Sequence, residues 1–195
     1  MPPGRPRNFD TEKALEAALN LFWRKGYEGA SLPDLTHAMG INRPSLYAAF
    51  GNKQSLFKKV VDRYAAGPAS YVHDALRQPT ARAVAEKLLK GAVENLTNPA
   101  HPPGCLAVQA ALACGDDADC MRQELVRHRE SLVKSLRARL SRAKREKDLP
   151  PNANPSDLAR FLATVIHGLS VQASSGASRK DLQRVVALSL KAWPS

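Results

Sequence analysis

The 195-residue chain has few cysteines and no long apolar run, and both absences limit its class. Cys105, Cys114 and Cys120 are an odd number in a chain whose start carries no export signal, which argues against a disulfide framework. No stretch approaches the roughly 18 apolar residues that span a bilayer, and residues 1–10 are rich in proline and arginine. The sequence therefore predicts a soluble, cytoplasmic protein with reduced thiols and no membrane partner.

The usual signatures of an enzyme are missing as well. The sequence has no glycine-rich phosphate loop and no recognisable set of nucleophile, base and orienting group. Its histidines fall on separate predicted segments, at His37, His73, His101, His128 and His167. We therefore expect neither catalysis nor a bound cofactor.

Positive charge is what the chain has in excess. The formal net charge of +11 favours an anionic partner such as nucleic acid or a membrane surface. Residues 1–66 hold 10 Lys and Arg against 6 Asp and Glu, whereas residues 121–147 hold 10 against 3. The second segment has apolar residues at helical spacing, so its charge fits the solvated face of a long amphipathic helix. A basic helical protein that binds RNA or membranes without sequence preference is the alternative.

Apolar residues recur every three or four positions, which predicts an all-α fold with about nine or ten helices. The first predicted helix ends at Gly26, and Ser31 caps a second helix that Gly40 ends about two turns later. A third helix over residues 43–50 and a fourth over residues 53–66 follow. Two short helices joined by a tight glycine turn, with a longer helix on each side, are typical of a helix-turn-helix.

Longer predicted helices follow, separated by loops that contain proline or glycine. They cover residues 69–77, 80–97, 104–114, 118–147, 156–174 and 179–193. The predicted organisation is therefore a small N-terminal helix-turn-helix domain over residues 1–66 and a larger helical domain over residues 67–195.

A recognisable pattern runs through the N-terminal module. Its positions are Leu21, Phe22, Gly26, Tyr27, Ser31, Leu35, Gly40, Ile41, Ser45, Leu46, Tyr47, Phe50, Lys53 and Leu56. In this order and spacing they resemble the TetR family of transcriptional regulators, over about the first third of the chain. The resemblance implies a sequence-specific repressor that binds double-stranded DNA as a homodimer and is released by a small-molecule or thiol-reactive inducer. A single short recognition helix reads few base pairs, so the operator is expected to be a pseudo-palindrome.

The third helix is the predicted recognition helix. Its residues Arg43, Pro44, Ser45, Tyr47 and Ala48 combine short side chains near the DNA backbone with longer ones that reach base edges. Arg43 is the leading base reader because a guanidinium addresses guanine O6 and N7 in a bidentate way. Ala48 stands where the family often has a bulky polar residue, which shifts base contact towards apolar contact, for example with a thymine methyl.

Further DNA contacts are predicted outside the recognition helix. The resemblance implies phosphate anchors at Ser31, Tyr47 and Lys53. Arg5 and Arg7 are predicted to enter an adjacent minor groove. Plainer interpretations stay open: Tyr47 as a core aromatic, Ser31 as only a helix cap, and the two arginines as a disordered basic start.

The last two predicted helices carry apolar stripes that the resemblance assigns to dimerisation. The predicted interface consists of Leu158, Phe161, Leu162, Val165, Ile166, Leu169, Val185, Val186 and Ser189. Two such helices per chain pair as a four-helix bundle across a two-fold axis. The alternative is that both stripes pack only within one subunit.

Cys105 is the candidate sensor or ligand site of the larger domain. It follows residues 102–104 at a predicted helix start, where the helix dipole lowers the pKa of a thiol. The tract is similar to that of TetR relatives that sense electrophiles or oxidants, and a buried structural cysteine is the alternative. Cys114 and Cys120 have acidic neighbours but no histidine at ligand spacing, so we expect no metal site.

Overall fold

The computed structural model describes residues 9–112 and 119–194, without the side chains of residues 110–112 and 119–121. These residues form ten helices and no strand, which confirms the all-α prediction. The helices are α1 (Thr11–Gly29), α2 (Leu32–Met39), α3 (Arg43–Phe50), α4 (Lys53–Ala66), α5 (Tyr71–Leu76), α6 (Ala81–Leu96), α7 (Leu106–Leu112), α8 (Asp119–Arg145), α9 (Pro155–Ser174) and α10 (Arg179–Lys191). Within the described ranges, every helix is too short or too polar to cross a membrane.

Local backbone chemistry sets the limits of the first helices. Gly26, with a φ of 71°, interrupts α1 near its C-terminal end. The Ser31 hydroxyl accepts from the Asp34 N–H at 3.2 Å, and the Asp34 carboxylate accepts from the Ser31 N–H at 3.1 Å. This reciprocal cap starts α2, and Gly40 ends it in the left-handed region at a φ of 65°. The predicted helix-turn-helix therefore forms where its capping residues stand.

A second glycine of this kind shifts one predicted boundary. Gly104 has a φ of 86°, so the helix predicted over residues 104–114 begins later, at Leu106. The Gly104 N–H donates to the Leu96 carbonyl at 3.2 Å, which ties this turn to the end of α6. Cys105 consequently lies just before α7.

Two hydrophobic clusters form the interior. The first belongs to α1–α4, where Phe22 and Phe57 meet edge to face with centroids 5.0 Å apart. Leu106, Ala107 and Leu125, which follow in the larger predicted domain, are buried in this same cluster. The second cluster is built from α5, α6 and α8–α10. The start of α7 therefore completes the interior of the helix-turn-helix region, and Cys105, just before α7, packs against both clusters.

The structure corrects part of the predicted dimer interface. Leu162, Ile166, Leu169 and Val186 are at most 4% exposed and lie in the second cluster of the single chain. They cannot offer a surface to another subunit, because neighbouring helices of the same chain already cover them. Large apolar side chains that α9 and α10 do expose are Val171, Val185 and Leu188, at 43%, 44% and 65%.

Candidate nucleic-acid interface and adjoining cavity

Helix α3 presents one face to the protein and another to solvent. Leu46 and Phe50 are buried at 0% and 5% exposure and hold α3 against the first cluster. Arg43, Pro44 and Ala48 are exposed, and Ser45 is half-buried. The exposed face carries short side chains beside one arginine, which suits entry into a major groove.

Tyr47 lies on the exposed face, with 48% of its surface accessible. Its interpretation as a core aromatic is therefore wrong, since neither α1 nor α4 covers it. The Leu46 and Phe50 side chains, one before it and three after it, take the core positions instead. The Tyr47 hydroxyl is free to meet a phosphate oxygen.

Ser31 acts as the cap of α2. Its hydroxyl donates to the Asp34 carboxylate at 2.8 Å, and the Lys25 ammonium lies 3.2 Å from the same carboxylate. These hydrogen bonds lower the pKa of the Asp34 carboxyl. Thr36 hydrogen-bonds back to the carbonyls of Leu32 and Pro33, both at 3.0 Å. The polar side chains of α2 are thus largely used in holding the helix itself.

Lys53 is the first residue of α4, at the end of the turn that follows the recognition helix. Its ammonium lies 4.5 Å from the centre of the Tyr27 ring, a cation–π contact that fixes the side chain beside α1. Burial lowers the pKa of Lys53, and the charge of Glu28 acts in the opposite direction. An anion bound at this position would pair with the partly desolvated ammonium of Lys53. Arg5 and Arg7, the predicted minor-groove arm, lie outside the described residues.

A cavity of about 280 Å³ lies beneath α4, between the two clusters. Its walls come from α4, α5, the start of α7, α8 and α9. The side chains that matter for its chemistry are Tyr64, Tyr71, Cys105, His128, Arg129 and His167. The cavity is therefore in direct contact with the helix that supports the recognition helix.

Cys105 opens onto this cavity and is held by two distant residues. The Tyr64 hydroxyl donates to Cys105 Sγ at 3.2 Å, and the Cys105 N–H donates to Ser170 Oγ at 2.8 Å. Burial raises the pKa of the Cys105 thiol, although the Tyr64 hydroxyl and the N–H groups of Ala107 and Val108 lower it. The pKa lowering that was expected from a position at a helix start is therefore opposed by burial. Desolvation outweighs the helix dipole here.

Aromatic rings connect the cavity to the N-terminal helices. Tyr64 meets Trp23 of α1 edge to face, with centroids 4.9 Å apart, and Trp23 stacks on His101 at 4.5 Å. Burial raises the pKa of Tyr64, so its hydroxyl stays protonated and remains a donor. Tyr71 lies against Gly91 of α6, where a Cβ would come within 2.9 Å of its ring. A displacement of Tyr64 would consequently act on α1 through the contact with Trp23.

Two histidines of the cavity wall, His128 and His167, have lowered pKa values, which favours their neutral form. Burial lowers the pKa of His128 and of His167, and the charge of Arg129 lowers both further. The charges of Glu124 and Asp62 oppose the shift at His128. At His167 Glu130 opposes it, while Arg160 adds to it. Arg129 therefore carries the permanent positive charge of the cavity wall.

Sequence reasoning missed most of this site. It found Cys105 from its local motif, whereas Tyr64, Tyr71 and Arg129 carry no local signal. No group of three metal-binding side chains occurs among the residues that the structure describes. Cys114 and the side chain of Cys120 lie outside them.

Comparison with known proteins covers both parts of the chain. Residues 14–60 match the model of bacterial regulatory proteins of the tetR family, and residues 81–188 match that of the tetracyclin repressor-like C-terminal domain. The HTH-type transcriptional repressor ComR of Escherichia coli (strain K12) is 34% identical over 98% of this chain and 92% of its own length. BdcR, a repressor of the same strain, is 32% identical over 95% and 90%.

A solved structure is similar over the whole fold. It contains a cysteine mutant of the TetR family transcriptional regulator CifR complexed with 26 bp double-strand operator DNA. It is 42% identical, has a TM-score of 0.93, and the match covers 97% of this chain and 100% of that one. The ten-helix arrangement described above therefore has a close counterpart that was solved on DNA.

Proposed function

The chain belongs to the TetR family of bacterial transcriptional regulators, and on that premise we propose a repressor that binds a pseudo-palindromic operator and leaves it when an inducer fills the cavity beneath α4. This family consists of transcriptional regulators and not of enzymes, and its members are typically dimers. The observation that carries the proposal is the two-sided α3, whose buried Leu46 and Phe50 hold an exposed Arg43 and Tyr47 outward.

The DNA contacts divide into base reading and phosphate binding. We assign base reading to Arg43, with Pro44, Ser45 and Ala48 providing close approach, because these residues form the outward face of α3. Tyr47 and Lys53 bind phosphates beside it. Ser31 contributes through the α2 cap, since its hydroxyl already donates a hydrogen bond to the Asp34 carboxylate. Arg5 and Arg7 belong to the proposal as the minor-groove arm.

Dimerisation is assigned to the exposed apolar face of α9 and α10. Val185 and Leu188 form its α10 part together with the half-buried Ser189, and Val171 is an exposed apolar residue of α9. Leu158, Phe161 and Val165 are half-buried and keep their place in the interface. In this proposal residues 1–66 read DNA, and residues 67–195 dimerise and bind the inducer.

The inducer site is the cavity beneath α4. An occupant that moves Tyr64 would also move Trp23 of α1, and thereby the spacing of the two recognition helices in the dimer. A non-covalent small molecule fits the neutral Cys105 thiol. A thiol-reactive inducer is the second candidate, because Cys105 faces the cavity and receives the Tyr64 hydroxyl.

Two substitutions test the DNA-binding assignment. Arg43→Ala should relax base preference at one position of each half-site, because it removes a bidentate base contact worth about 1 to 3 kcal/mol. Lys53→Ala should weaken all sequences alike and reduce the salt dependence by about one unit. The measurement is affinity for the DNA upstream of the chain's own gene, against random competitor and at several salt concentrations.

Lys87→Ala is the matched control, since Lys87 is an exposed lysine of α6 in the larger domain. It should leave both base preference and salt dependence unchanged. Retention of full base preference by Arg43→Ala would contradict the base-reading role. Equal affinity of the wild type for operator and random DNA would contradict the repressor function altogether.

A further inference from the structure

The cavity beneath α4 has charge of one sign in its wall. Among the described residues that line it, Arg129 is the one permanent charge, and there is no carboxylate. The remaining lining side chains are apolar, hydroxyl, thiol or imidazole groups. The imidazoles of His128 and His167 are kept neutral by burial and by Arg129 itself. The wall thus offers a cation and several hydrogen-bond donors to whatever occupies the cavity.

Arg129 has no carboxylate partner within the described part of the chain. The two acidic residues near it on α8 are already paired, Glu124 with Arg127 and Glu130 with Arg160 at 2.8 Å. Arg129 Nη1 donates a hydrogen bond to the Ala107 carbonyl at 3.0 Å. A guanidinium carries five N–H donors, so most of its binding capacity is unused by that contact.

The rest of the cavity suits a compact apolar body. Val72, Leu76, Leu132 and Ile166 supply its aliphatic surface. A cavity of about 150 Å³ is sufficient for benzene. The volume of about 280 Å³ therefore accommodates one ring with a short arm, or a short chain.

We propose that the cavity binds a small organic carboxylate, whose charged head pairs with Arg129 and whose apolar body lies against Val72, Leu132 and Ile166. The guanidinium of Arg129 has no carboxylate beside it in the cavity and lies next to an aliphatic wall, and this combination favours a ligand with a negative head and an apolar body. A bidentate carboxylate matches the planar fork of the guanidinium. This inference rests on the proposed function, because it names the chemistry of the inducer site.

The test compares an isosteric pair of probes by titration calorimetry on the full chain without DNA. The wild type should bind 3-phenylpropionate roughly tenfold or more tightly than neutral 3-phenylpropanamide, because a charge-assisted hydrogen bond stabilises by about 1.4 kcal/mol more than a neutral one, which is tenfold in the dissociation constant. Arg129→Gln should abolish this preference. Arg129→Lys should keep part of it, since the charge remains. Arg137→Gln removes the same charge from an exposed position of α8 outside the cavity wall and should bind as the wild type does.

Each outcome decides the matter. Equal binding of the acid and the amide by the wild type, or an undiminished preference in Arg129→Gln, would overturn the proposal. Thermal unfolding checks that the Arg129 variants are folded, and the Arg129→Lys comparison preserves the test should the glutamine variant unfold. Operator release by 3-phenylpropionate is measured separately. An Arg129-dependent preference without release would support the carboxylate site while contradicting induction through this cavity.

Discussion

Replacing Leu188 with alanine should weaken the dimer without unfolding the subunit. Leu188 is 65% exposed in the single chain, so its side chain contributes little to the fold of that chain. Full burial of a leucine is worth about 1.5 to 3 kcal/mol, and covering this exposed fraction is therefore worth about 1 to 2 kcal/mol per subunit. In a two-fold dimer each subunit contributes its own Leu188 to the interface, so this loss counts twice. The dimer then loses about 2 to 4 kcal/mol, which raises its dissociation constant about 30- to 900-fold.

Analytical ultracentrifugation over a range of concentrations measures that constant directly. Operator affinity should fall in parallel, because a single recognition helix covers too few base pairs. Val186→Ala is the matched control: Val186 is 4% exposed and lies in the core of its own chain. It should lower the free energy of unfolding by about 1 to 3 kcal/mol and leave dimerisation unchanged. A dissociation constant that Leu188→Ala does not alter would refute the proposed interface on α10.

Two further predictions concern the cavity. A mild oxidant or an unsaturated aldehyde should release the operator from the wild type, from Cys114→Ser and from Cys120→Ser, but not from Cys105→Ser. The reaction should accelerate with rising pH, because burial raises the pKa of the Cys105 thiol and the thiolate is the reactive form. Identical responses in all four proteins would remove Cys105 as a sensor. The free energy of unfolding should fall as the pH drops below about 6.5, because burial lowers the pKa values of His128 and His167 in the folded state and the unfolded chain then binds more protons. The stability that the two neutral histidines allow is fully present above that pH. In urea unfolding, the free energy of the His128→Gln, His167→Gln double variant should therefore depend less on pH than that of the wild type between about 7.5 and 5.5. An unchanged pH dependence would assign the acid sensitivity to other groups.

The N-terminal helices were predictable because their signals are local. The limits of α3 and α4 agree with the predicted ranges to the residue. A cap such as Ser31 or a stop such as Gly40 acts on backbone groups within about four positions, so the sequence contains the whole interaction. The family pattern lies in the same segment, and it supplied the DNA-binding function before any packing was known.

The apolar stripes of α9 and α10 mark the limit of that local reasoning. Helical periodicity places Val185, Val186 and Ser189 near one face, and it does not distinguish the flank that meets the chain's own core from the flank that meets a partner. The packing of α10 against α6 and α9 buries Val186 and leaves Leu188 exposed. Only the arrangement of three helices decides this.

Cys105 shows the same division within one residue. Its position before a helix was visible in the sequence, and so was the field of the helix dipole, which acts over a single turn. The groups that bury its thiol and bind its amide, Tyr64 and Ser170, are separated from it by 41 and 65 residues. Arg129 likewise enters the cavity from a helix whose charges all look solvated in the sequence. Desolvation depends on what surrounds a group in space, and that was determined by the tertiary structure alone.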